Sequence, residues 1–421
     1  MPRPLESKTI VVGLTGGIAC YKAAELVRAL VRGGASVRVM MTPAACEFIT
    51  PLTLQTLSGH PVATALFDLT QESQIGHIQL ADCADAIIVA PATANSIGKI
   101  AAGLADDIVS TVVLATKAPL LLAPSMNVNM YENPVVQENI DRLRARGIRV
   151  IEPGEGFLAC GWEGKGRLVE TDVLVAEVER AISTNDLRGQ RLLITAGPNR
   201  EAIDPVRFIS NRSTGKMGFA LAAAAWRRGA EVVLVAGPTT LATPHGVRRI
   251  DVVSAAEMHQ AVRKEIKAAA VLLMTAAVAD YRPAQVAQQK LKKAEGGMTI
   301  ALTRTVDILG DLAPQKGTRI VVGFAAETED VVANAQRKLE AKNLDLIVAN
   351  DVARPDAGFS VDTNAVTMFD RKGVREDVPL MSKTEVADRI LDRVVTLCRK
   401  PRIRQVGPTR WAGRKVRHPS R

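Results

Sequence analysis

The sequence is poor in aromatic residues and cysteine, and it has no long apolar run. Phe, Tyr and Trp make up 3% of its 421 residues, so small aliphatic side chains must fill the interior. The five cysteines are an odd number and include no Cys-x-x-Cys pair, which argues against a disulfide framework and a thiolate zinc site. No apolar run reaches the ~18 residues of a membrane span, and residues 1–8 do not resemble a signal peptide. We therefore expect a cytoplasmic protein with no membrane partner.

The net charge of +10 comes almost entirely from the C-terminal end. Nine Lys and Arg residues and no acidic residue lie between residues 399 and 421, which leaves residues 1–398 with a net charge of +1. This end lacks hydrophobic periodicity, so we expect a disordered basic tail. It is either a weak binder of polyanions or a solvated segment without a role. No specific nucleic-acid partner is expected.

Strands and helices alternate along the chain in two successive runs. The first run has predicted strands at 9–14, 36–41, 84–90, 112–122 and 148–151, and helices at 18–31, from 96, at 134–146 and at 171–182. A polar link at 183–186 precedes a second run, with strands at 191–195, 231–236, 271–275 and 345–349, a loop at 199–210, helices at 220–228, 331–341 and 383–398, and a β-ribbon at 365–374. Such alternation with short connections predicts doubly wound parallel sheets. We predict two α/β domains in series, 1–183 and 186–398, and a tail, 399–421.

A glycine turn follows the first strand. Gly16 and Gly17 stand before the predicted helix 18–31, where free backbone N–H groups can bind a phosphate. The spacing is not Gly-x-Gly-x-x-Gly, and the second strand ends in Met40-Met41-Thr42 rather than an acidic residue. The dinucleotide signature is therefore absent, which leaves a mononucleotide phosphate as the candidate ligand.

Three further residues of the first domain are candidates for chemistry. Asn127 follows a predicted strand, where ligands bind in parallel sheets, and its amide can hold a carboxylate or cap the next helix. His77 starts a helical pattern and is either a titratable base or a surface residue that caps the helix. Cys160 lies in the glycine-bracketed loop 156–161 and is either a mobile proton donor or a small buried residue.

Four segments together resemble the flavin-dependent cysteine decarboxylases, in particular the phosphopantothenoylcysteine decarboxylases. They are residues 76–77, 90–95, 124–131 and 159–161. The resemblance implies a flavodoxin-like domain of the HFCD flavoprotein type. It also implies noncovalent FMN, which would be held by Gly16, Gly17, Thr93, Asn95, Ser125 and Met126.

The same resemblance implies a reaction and an assembly. The flavin would oxidise a cysteinyl thiol, after which carbon dioxide is lost and the reduced flavin returns its hydride. His77 would assist, Asn127 would hold the substrate carboxylate and Cys160 would return a proton. In this family the flavin lies at a subunit interface of a trimer, and His77 would complete a neighbour's site.

The second domain contains an anion-binding turn and several isolated charges. Residues 210–218 read Ser-Asn-Arg-Ser-Thr-Gly-Lys-Met-Gly, which is not the Gly-x-x-x-x-Gly-Lys signature of a phosphate loop. Asp280 follows a predicted strand and is a candidate contact for a ribose or a metal. Lys290 is the first residue of the charge run 290–293. Lys338 and Lys342 lie on one face of a predicted helix, where they either converge on a phosphate or face solvent.

Seven segments of this domain resemble the phosphopantothenate–cysteine ligases. They are residues 194–198, 204–207, 210–218, 276–282, 290–293, 322–328 and 343–351. The resemblance implies a Rossmann-like domain in which 4′-phosphopantothenate is activated by CTP with Mg²⁺, and L-cysteine then displaces CMP. Asn211 would bind the activated acyl group, and Asn211 and Lys290 are the expected catalytic residues.

The ligase resemblance also implies which residues contact the nucleotide. They are Met274, Thr275, Ala276, Asp280, Lys290, Val306, Asp307, Ile308, Leu309, Phe324, Lys338 and Lys342. Val306 stands where the family usually has Pro, which leaves the backbone contacts of that loop open. The magnesium ligands are not assigned. Dimeric second domains combined with trimeric first domains imply a homo-oligomer, expected to be a dodecamer.

The two resemblances together predict a bifunctional enzyme of coenzyme A biosynthesis. One alternative is a flavoprotein that acts on another peptidyl or aminoacyl cysteine, which the presence of a matching ligase half disfavours. Another is a flavin-binding regulatory subunit without catalysis. The presence of His77, Asn127 and Cys160 disfavours that alternative.

Overall fold

A computed structural model describes residues 4–66, 76–157, 161–292, 298–327, 331–351, 358 and 361–399. Cys160 and the basic tail beyond residue 399 lie outside the described residues, as does Lys293 of the charge run. Within the described chain no helix combines the length and apolar character that crossing a membrane requires.

The first domain is built on a parallel sheet with helices on both faces. Its strands are β1 (Thr9–Leu14), β2 (Ser36–Met41), β3 (Val62–Ala63), β4 (Ala86–Ala92), β5 (Leu120–Pro124), β6 (Arg149–Val150), β7 (Gly154–Phe157) and β8 (Glu163–Arg167). Its helices are α1 (Cys20–Arg32), α2 (Pro43–Cys46), α3 (Pro51–Ser58), α4 (His77–Cys83), α5 (Ala94–Ala102), α6 (Ile108–Ala115), α7 (Val128–Tyr131), α8 (Pro134–Ala145) and α9 (Thr171–Ala181).

The order of the strands identifies the topology of this sheet. All six strands are parallel, in the order β3-β2-β1-β4-β5-β6, and β7 and β8 form a separate antiparallel hairpin. Without the two-residue edge strand β3, this is the flavodoxin order. Every residue of β4 is buried, as expected for a strand covered on both faces by helices. The predicted doubly wound fold is confirmed.

The strand predicted over residues 112–122 is wrong. Residues Ile108–Ala115 form α6, and the strand is confined to Leu120–Pro124. Asp107 Oδ1 accepts a hydrogen bond from Ser110 N (2.9 Å), and Ser110 Oγ accepts one from Asp107 N (3.2 Å). This reciprocal capping box starts a helix. The apolar run conceals the helix because a run without polar gaps has no periodicity.

The second domain repeats the architecture with a wider sheet. Its strands are β9 (Arg191–Ala196), β10 (Arg200–Ala202), β11 (Phe208–Ser210), β12 (Glu231–Ala236), β13 (Arg248–Asp251), β14 (Val271–Met274), β15 (Tyr281–Pro283), β16 (Leu302–Arg304), β17 (Ile320–Glu327), β18 (Leu346–Asp351), β19 (Thr363–Asp370) and β20 (Arg375–Ser382). Its α-helices are α10 (Lys216–Arg227), α11 (Ala255–Glu265), α12 (Ile308–Leu312), α13 (Val331–Ala341) and α14 (Lys383–Arg399), with 3₁₀ turns at Ile266–Ala268 and Ala313–Gln315.

The main sheet of this domain has eight strands in the order β13-β12-β9-β14-β17-β18-β19-β20. The first six are parallel and the last two antiparallel. The ribbon predicted at 365–374 is therefore longer than expected and extends the main sheet. The loop predicted at 199–210 is also wrong in part, because β10 and β11 pair there as an antiparallel hairpin. Strands of three residues are too short to produce a detectable alternation.

The two domains meet where α9 packs against α10. Glu177 and Arg180 of α9 contact His245 and Trp226 of the second domain, and we call these four residues the interdomain seam. The Arg180 guanidinium carbon lies 4.4 Å from the centroid of the Trp226 ring, and the His245 ring meets Trp226 edge-on at 4.9 Å. A cation over an indole and an edge-to-face ring pair are both favourable arrangements.

Candidate functional sites

A first cavity of about 990 Å³ opens at the carboxyl ends of β1, β2, β4 and β5. This is the position where ligands bind in open parallel sheets. All six residues expected to hold a flavin line it, as does Asn127: Gly16, Gly17, Thr93, Asn95, Ser125, Met126 and Asn127. Four strand ends thus bring together the glycine turn at 16–17 and parts of two of the four segments, 90–95 and 124–131.

Gly16 lies where the chain leaves no room for a side chain. A Cβ atom at this position would lie 2.5 Å from Ala44 Cβ and 2.9 Å from the Ala44 carbonyl carbon. At Gly17 the nearest atom, Thr93 Cγ2, would be 3.6 Å away, which is an ordinary contact. Ala44 belongs to α2, so the turn after β1 packs directly on the helix that follows β2.

Buried hydrogen bonds fix the loop that carries Thr93. Thr15 Oγ1 donates to the Pro91 carbonyl (2.8 Å) and accepts from Thr93 N (2.9 Å). Thr93 Oγ1 in turn accepts from Ser96 N (3.4 Å), which caps the start of α5. These bonds join the ends of β1 and β4 at the wall of the first cavity.

Asn127 both caps a helix and lines the first cavity. Its Oδ1 accepts from Asn129 N (2.8 Å) at the start of the short helix α7. The two interpretations that the sequence left open are therefore compatible, because the capping bond uses the side-chain carbonyl. A donor to a carboxylate would have to be the side-chain amide N–H.

The strands β7 and β8, on either side of residues 158–160, pair antiparallel, and residues of both line the first cavity. Met126 N donates to the Gly166 carbonyl of β8 (2.9 Å), and a Cβ atom on Gly166 would lie 2.2 Å from Met126 O. Phe157, the last residue of β7, lines the cavity and is 74% exposed. The position of Cys160 itself lies outside the described residues.

His77 does not line the first cavity of its own chain. It is the first residue of α4, as the sequence predicted. Its Nδ1 atom is buried and has no hydrogen-bond partner in the described chain. His77 therefore lies outside the cavity that Asn127 and the expected flavin-binding residues line.

Each of the three cations that line the first cavity pairs with a carboxylate. Lys99 Nζ lies 2.7 Å from Asp106 and 3.0 Å from Asp107, and hydrogen bonds to both raise its pKa. Lys22 and Arg167 contact Glu170 at 3.3 and 3.1 Å. The cavity wall therefore has little net charge.

A second cavity, also about 990 Å³, lies beside the carboxyl ends of β14, β17 and β18 and the start of α10. Among its lining residues the bases far outnumber the acids. The bases are Arg212, Lys216, Arg304, Lys338, Lys342 and Lys383, and the acids are Asp280 and Asp307. A concave surface with such a positive excess favours polyanionic ligands.

Of the ligase residues expected from the sequence, all but Lys290 line this second cavity. They are Asn211, Met274, Thr275, Ala276, Asp280, Val306, Asp307, Ile308, Leu309, Phe324, Lys338 and Lys342. Asn211 Nδ2 donates to the Ala277 carbonyl (2.9 Å), which orients the amide. Lys342 forms an ion pair with Asp307, whose side chain also caps α12 by accepting from Gly310 N (3.0 Å).

Lys290 is an exposed residue outside the second cavity. The residue after it is anchored to Asp204, because Leu291 N donates to Asp204 Oδ2 (3.2 Å). Asp204 is buried and also accepts from the Arg207 guanidinium at 2.9 Å. The Arg207 side chain holds the pKa of Asp204 far below its usual range.

Several residues that line the two cavities were not predicted from the sequence. Thr42 lines the first cavity, caps α2 and precedes Pro43, a cap-and-proline pattern that could have revealed it. Asn350 lines the second cavity, and its buried Oδ1 has no hydrogen-bond partner in the described chain. Lys383 had no local signal, since a lysine at the start of a helix resembles any surface charge.

The described residues include no cluster of three or more His, Cys, Asp or Glu side chains able to hold a metal ion.

Comparison with known proteins matches both parts of the chain to families. Residues 1–183 match the family described as Flavoprotein, and residues 187–397 match the DNA/pantothenate metabolism flavoprotein C-terminal domain.

Full-length relatives share about half of their residues with this chain. It is 50% identical over 400 residues to the coenzyme A biosynthesis bifunctional protein CoaBC of Bacillus subtilis (strain 168), covering 94% of this chain and 98% of that protein. It is 48% identical over 397 residues to the CoaBC protein of Escherichia coli (strain K12), covering 93% and 98%. A crystal structure of the C-terminal domain of a CoaBC protein is 45% identical, covers 51% of this chain and 98% of that chain, and has a TM-score of 0.45.

Proposed function

This chain belongs to the CoaBC family of coenzyme A biosynthesis bifunctional proteins, and we propose that its two cavities are the sites of the two reactions. It is a bifunctional enzyme, a phosphopantothenate–cysteine ligase and a phosphopantothenoylcysteine decarboxylase. The observation that carries the assignment of sites is the gathering of the expected residues at two separate cavities, one in each α/β domain.

The second cavity is proposed to hold CTP and 4′-phosphopantothenate. The carboxylate oxygen of the acid attacks the α-phosphorus of CTP, and pyrophosphate leaves. The nitrogen of L-cysteine then attacks the acyl carbon, and CMP leaves. Six basic and two acidic residues line this cavity. The excess of positive charge favours binding of the triphosphate and stabilises the negative charge that develops on the leaving groups. Lys342 would exchange its ion pair with Asp307 for a phosphate oxygen.

Asn211 is assigned to the activated acyl group, and Lys290 is assigned with Lys338 and Lys342 to the CTP phosphates, although Lys290 lies outside the cavity. The hydrogen bond from Leu291 N to Asp204 Oδ2 anchors the backbone next to Lys290. Nucleotide contacts are proposed for the cavity residues named above, from Met274 to Lys342. Magnesium would accompany the CTP phosphates.

The first cavity is proposed to bind FMN. Its fit is supported by Gly16, where any side chain would collide with Ala44 and close the cradle beside the turn. Bound FMN would supply the oxidation of the cysteinyl thiol and the return of the electrons. Asn127 would donate its amide N–H to the substrate carboxylate and orient it for loss of carbon dioxide, and Cys160 would deliver a proton to the product carbon.

The placement of His77 supports an oligomeric site. Because His77 does not line the cavity of its own chain, we assign it to the cavity of a neighbouring subunit in a trimer of first domains. With dimers of second domains, such trimers would build a dodecamer. Mass measurement of the purified protein in solution tests this assembly, and a monomer would contradict it.

The visible absorption spectrum tests the first cavity. We expect a flavin spectrum whose chromophore is released on denaturation. A colourless protein that cannot be reconstituted with FMN would contradict the first assignment and leave the second untouched. The second cavity is tested by CMP release from CTP, which should require both 4′-phosphopantothenate and cysteine.

The variant Cys160→Ser separates the two activities. It should stop the first-domain reaction after carbon dioxide is lost, because the product carbon lacks its proton donor, while CMP release continues at the normal rate. Formation of 4′-phosphopantetheine at the wild-type rate would rule out Cys160 as that donor.

A further inference from the structure

Lys383 is a buried cation on the wall of the second cavity. It is the first residue of α14, it lines the cavity, and 6% of its surface is exposed. Its Nζ donates to the Gly358 carbonyl (2.9 Å) and to the Val361 carbonyl. Both acceptors are neutral, and within the described chain no carboxylate forms an ion pair with Lys383. A buried charge without a counter-charge is costly.

Lys216 approaches the same place from another helix. It is the first residue of α10, lines the same cavity, and lies 2.7 Å from Asp362 Oδ1. The backbone of Asp362 also contacts Lys383, because Lys383 N donates to Asp362 O (2.9 Å). The two lysines, 167 positions apart in sequence, therefore meet at one short segment.

A bound anion can replace Asp362 as the ion-pair partner of Lys216. The side chain of Asp362 is 88% exposed, and ion pairs with exposed partners contribute little to stability. Lys383 forms no ion pair within the described chain, although the charge of Asp362 acts on it from nearby. Burial lowers the pKa of Lys383, and the nearby charge of Lys216 lowers it further. Two cations that repel one another at the wall of a cavity are stabilised together when an anion binds between them.

We propose that Lys383 and Lys216 form a phosphate-binding subsite of the second cavity. This inference rests on the proposed ligase function, which supplies two sources of phosphate. One is the triphosphate of CTP, and the other is the 4′-phosphate of the acyl substrate. Lys216 exchanges Asp362 for the phosphate, while Lys383 keeps its carbonyl contacts and donates its remaining N–H.

Isothermal titration of the full-length protein with each ligand alone tests the subsite. The probes are CTP with Mg²⁺, 4′-phosphopantothenate, and pantothenate, which lacks the phosphate. We expect Lys383→Met to bind one of the two phosphorylated ligands at least about tenfold more weakly, with Lys383→Arg close to wild type. Lys372→Met is the matched control, because it removes the same charge from an exposed turn outside the cavity.

The outcomes distinguish CTP from 4′-phosphopantothenate as the source of the phosphate, and they distinguish failure of the subsite from failure of the ligase function. Weaker binding of CTP alone assigns the subsite to the nucleotide, and weaker binding of 4′-phosphopantothenate alone assigns it to the 4′-phosphate. Unchanged binding of both by Lys383→Met overturns the subsite while leaving the ligase function intact. If the wild-type protein binds neither ligand, the proposed ligase function fails and the subsite fails with it.

A pH profile distinguishes charge from a purely structural role. Lys383 binds phosphate only while protonated, so the wild-type affinity should fall as the pH rises towards its lowered pKa. The charged groups that face it are Lys216 and Asp362. Lys383→Arg should remove this fall because arginine stays protonated. Parallel profiles for the two proteins would overturn the proposal even if Lys383→Met does not fold.

Discussion

His245 Nε2 lies 2.8 Å from Glu177 Oε1, and this contact joins the second domain to the first. Glu177 is buried and also pairs with Arg149 of the first domain, whose Nη2 donates to Glu177 Oε1 at 2.8 Å. Burial alone would raise the pKa of Glu177, but the hydrogen bonds from His245 and Arg149 outweigh it, and the pKa is lowered. The Glu177 carboxylate thus forms hydrogen bonds with one side chain from each domain.

Replacing Glu177 by Gln should weaken the interdomain seam. The variant loses the charge that pairs with Arg149 and His245, at an expected cost of about 1–3 kcal/mol in the free energy of unfolding. We expect the midpoint of thermal unfolding, followed by calorimetry, to fall by several degrees. Glu138→Gln, an exposed residue of α8, is the control. Equal midpoints for the two variants would show that Glu177 does not stabilise the protein.

Low pH should remove the contribution of Glu177 to the stability of the folded protein. Because the pKa of Glu177 is lowered in the folded protein, its stabilisation is present above the unfolded value of about 4.3. It is lost as the pH falls through the folded pKa. The thermal midpoint of the wild type should therefore fall more steeply below about pH 5 than that of Glu177→Gln. Parallel curves would contradict the assignment.

Gly16→Ala should abolish flavin binding. The added methyl group would lie 2.5 Å from Ala44 Cβ, so the turn must shift and the cradle is lost. Gly98→Ala is the matched control, since Gly98 does not line the first cavity and its methyl group would make only a 3.7 Å contact with Asn139. Purified Gly16→Ala should lack flavin absorbance, Gly98→Ala should retain it, and both should release CMP normally. A flavin-loaded Gly16→Ala protein would exclude this turn from the binding site.

Asn127→Asp should stop decarboxylation without unfolding the site. The aspartate retains the oxygen that accepts from Asn129 N, but it removes the N–H donor and adds a charge that repels the substrate carboxylate. We expect a loss of activity of roughly 100-fold or more, because a charge-assisted hydrogen bond is replaced by repulsion.

A matched capping residue controls for the Asn127 variant. Asn133 caps α8 through the same geometry, with Val135 N donating to its Oδ1 (3.0 Å), and it does not line the first cavity. Asn133→Asp should therefore leave decarboxylation near normal. Equal effects of the two substitutions would show that Asn127 acts only as a cap.

Much of the fold follows from local pattern. The strands Thr9–Leu14, Ser36–Met41 and Glu231–Ala236 and the helix Val331–Ala341 have the bounds that the sequence predicted. Each is an apolar or amphipathic segment with turn residues on both sides. One element that the pattern predicted wrongly is Ile108–Ala115, where the side-chain capping of Asp107 decides between helix and strand. Capping bonds of this kind are not visible in the apolar pattern.

The candidate sites were predictable where motifs follow strand ends. Asn127 and Asp280 lie at cavities because parallel strands deliver their carboxyl ends to one edge of a sheet. Lys290 does not lie at a cavity in this way, because it follows β15, a strand that is not part of the main sheet. Lys383 and Asn350 could not be found, since their place at the second cavity depends on packing between elements distant in sequence. The position of Cys160 remains a prediction.

The packing at Trp226 gives the protein an optical reporter of its own domain arrangement. Of the three tryptophans, Trp226 is 8% exposed, Trp162 is 55% exposed and Trp411 lies outside the described residues. The Trp226 indole lies under Arg180 of the first domain, so separation of the domains would remove this cation and expose that face of the ring to water. Its fluorescence emission would then move to longer wavelength, which allows docking of the two domains to be followed in real time without a label.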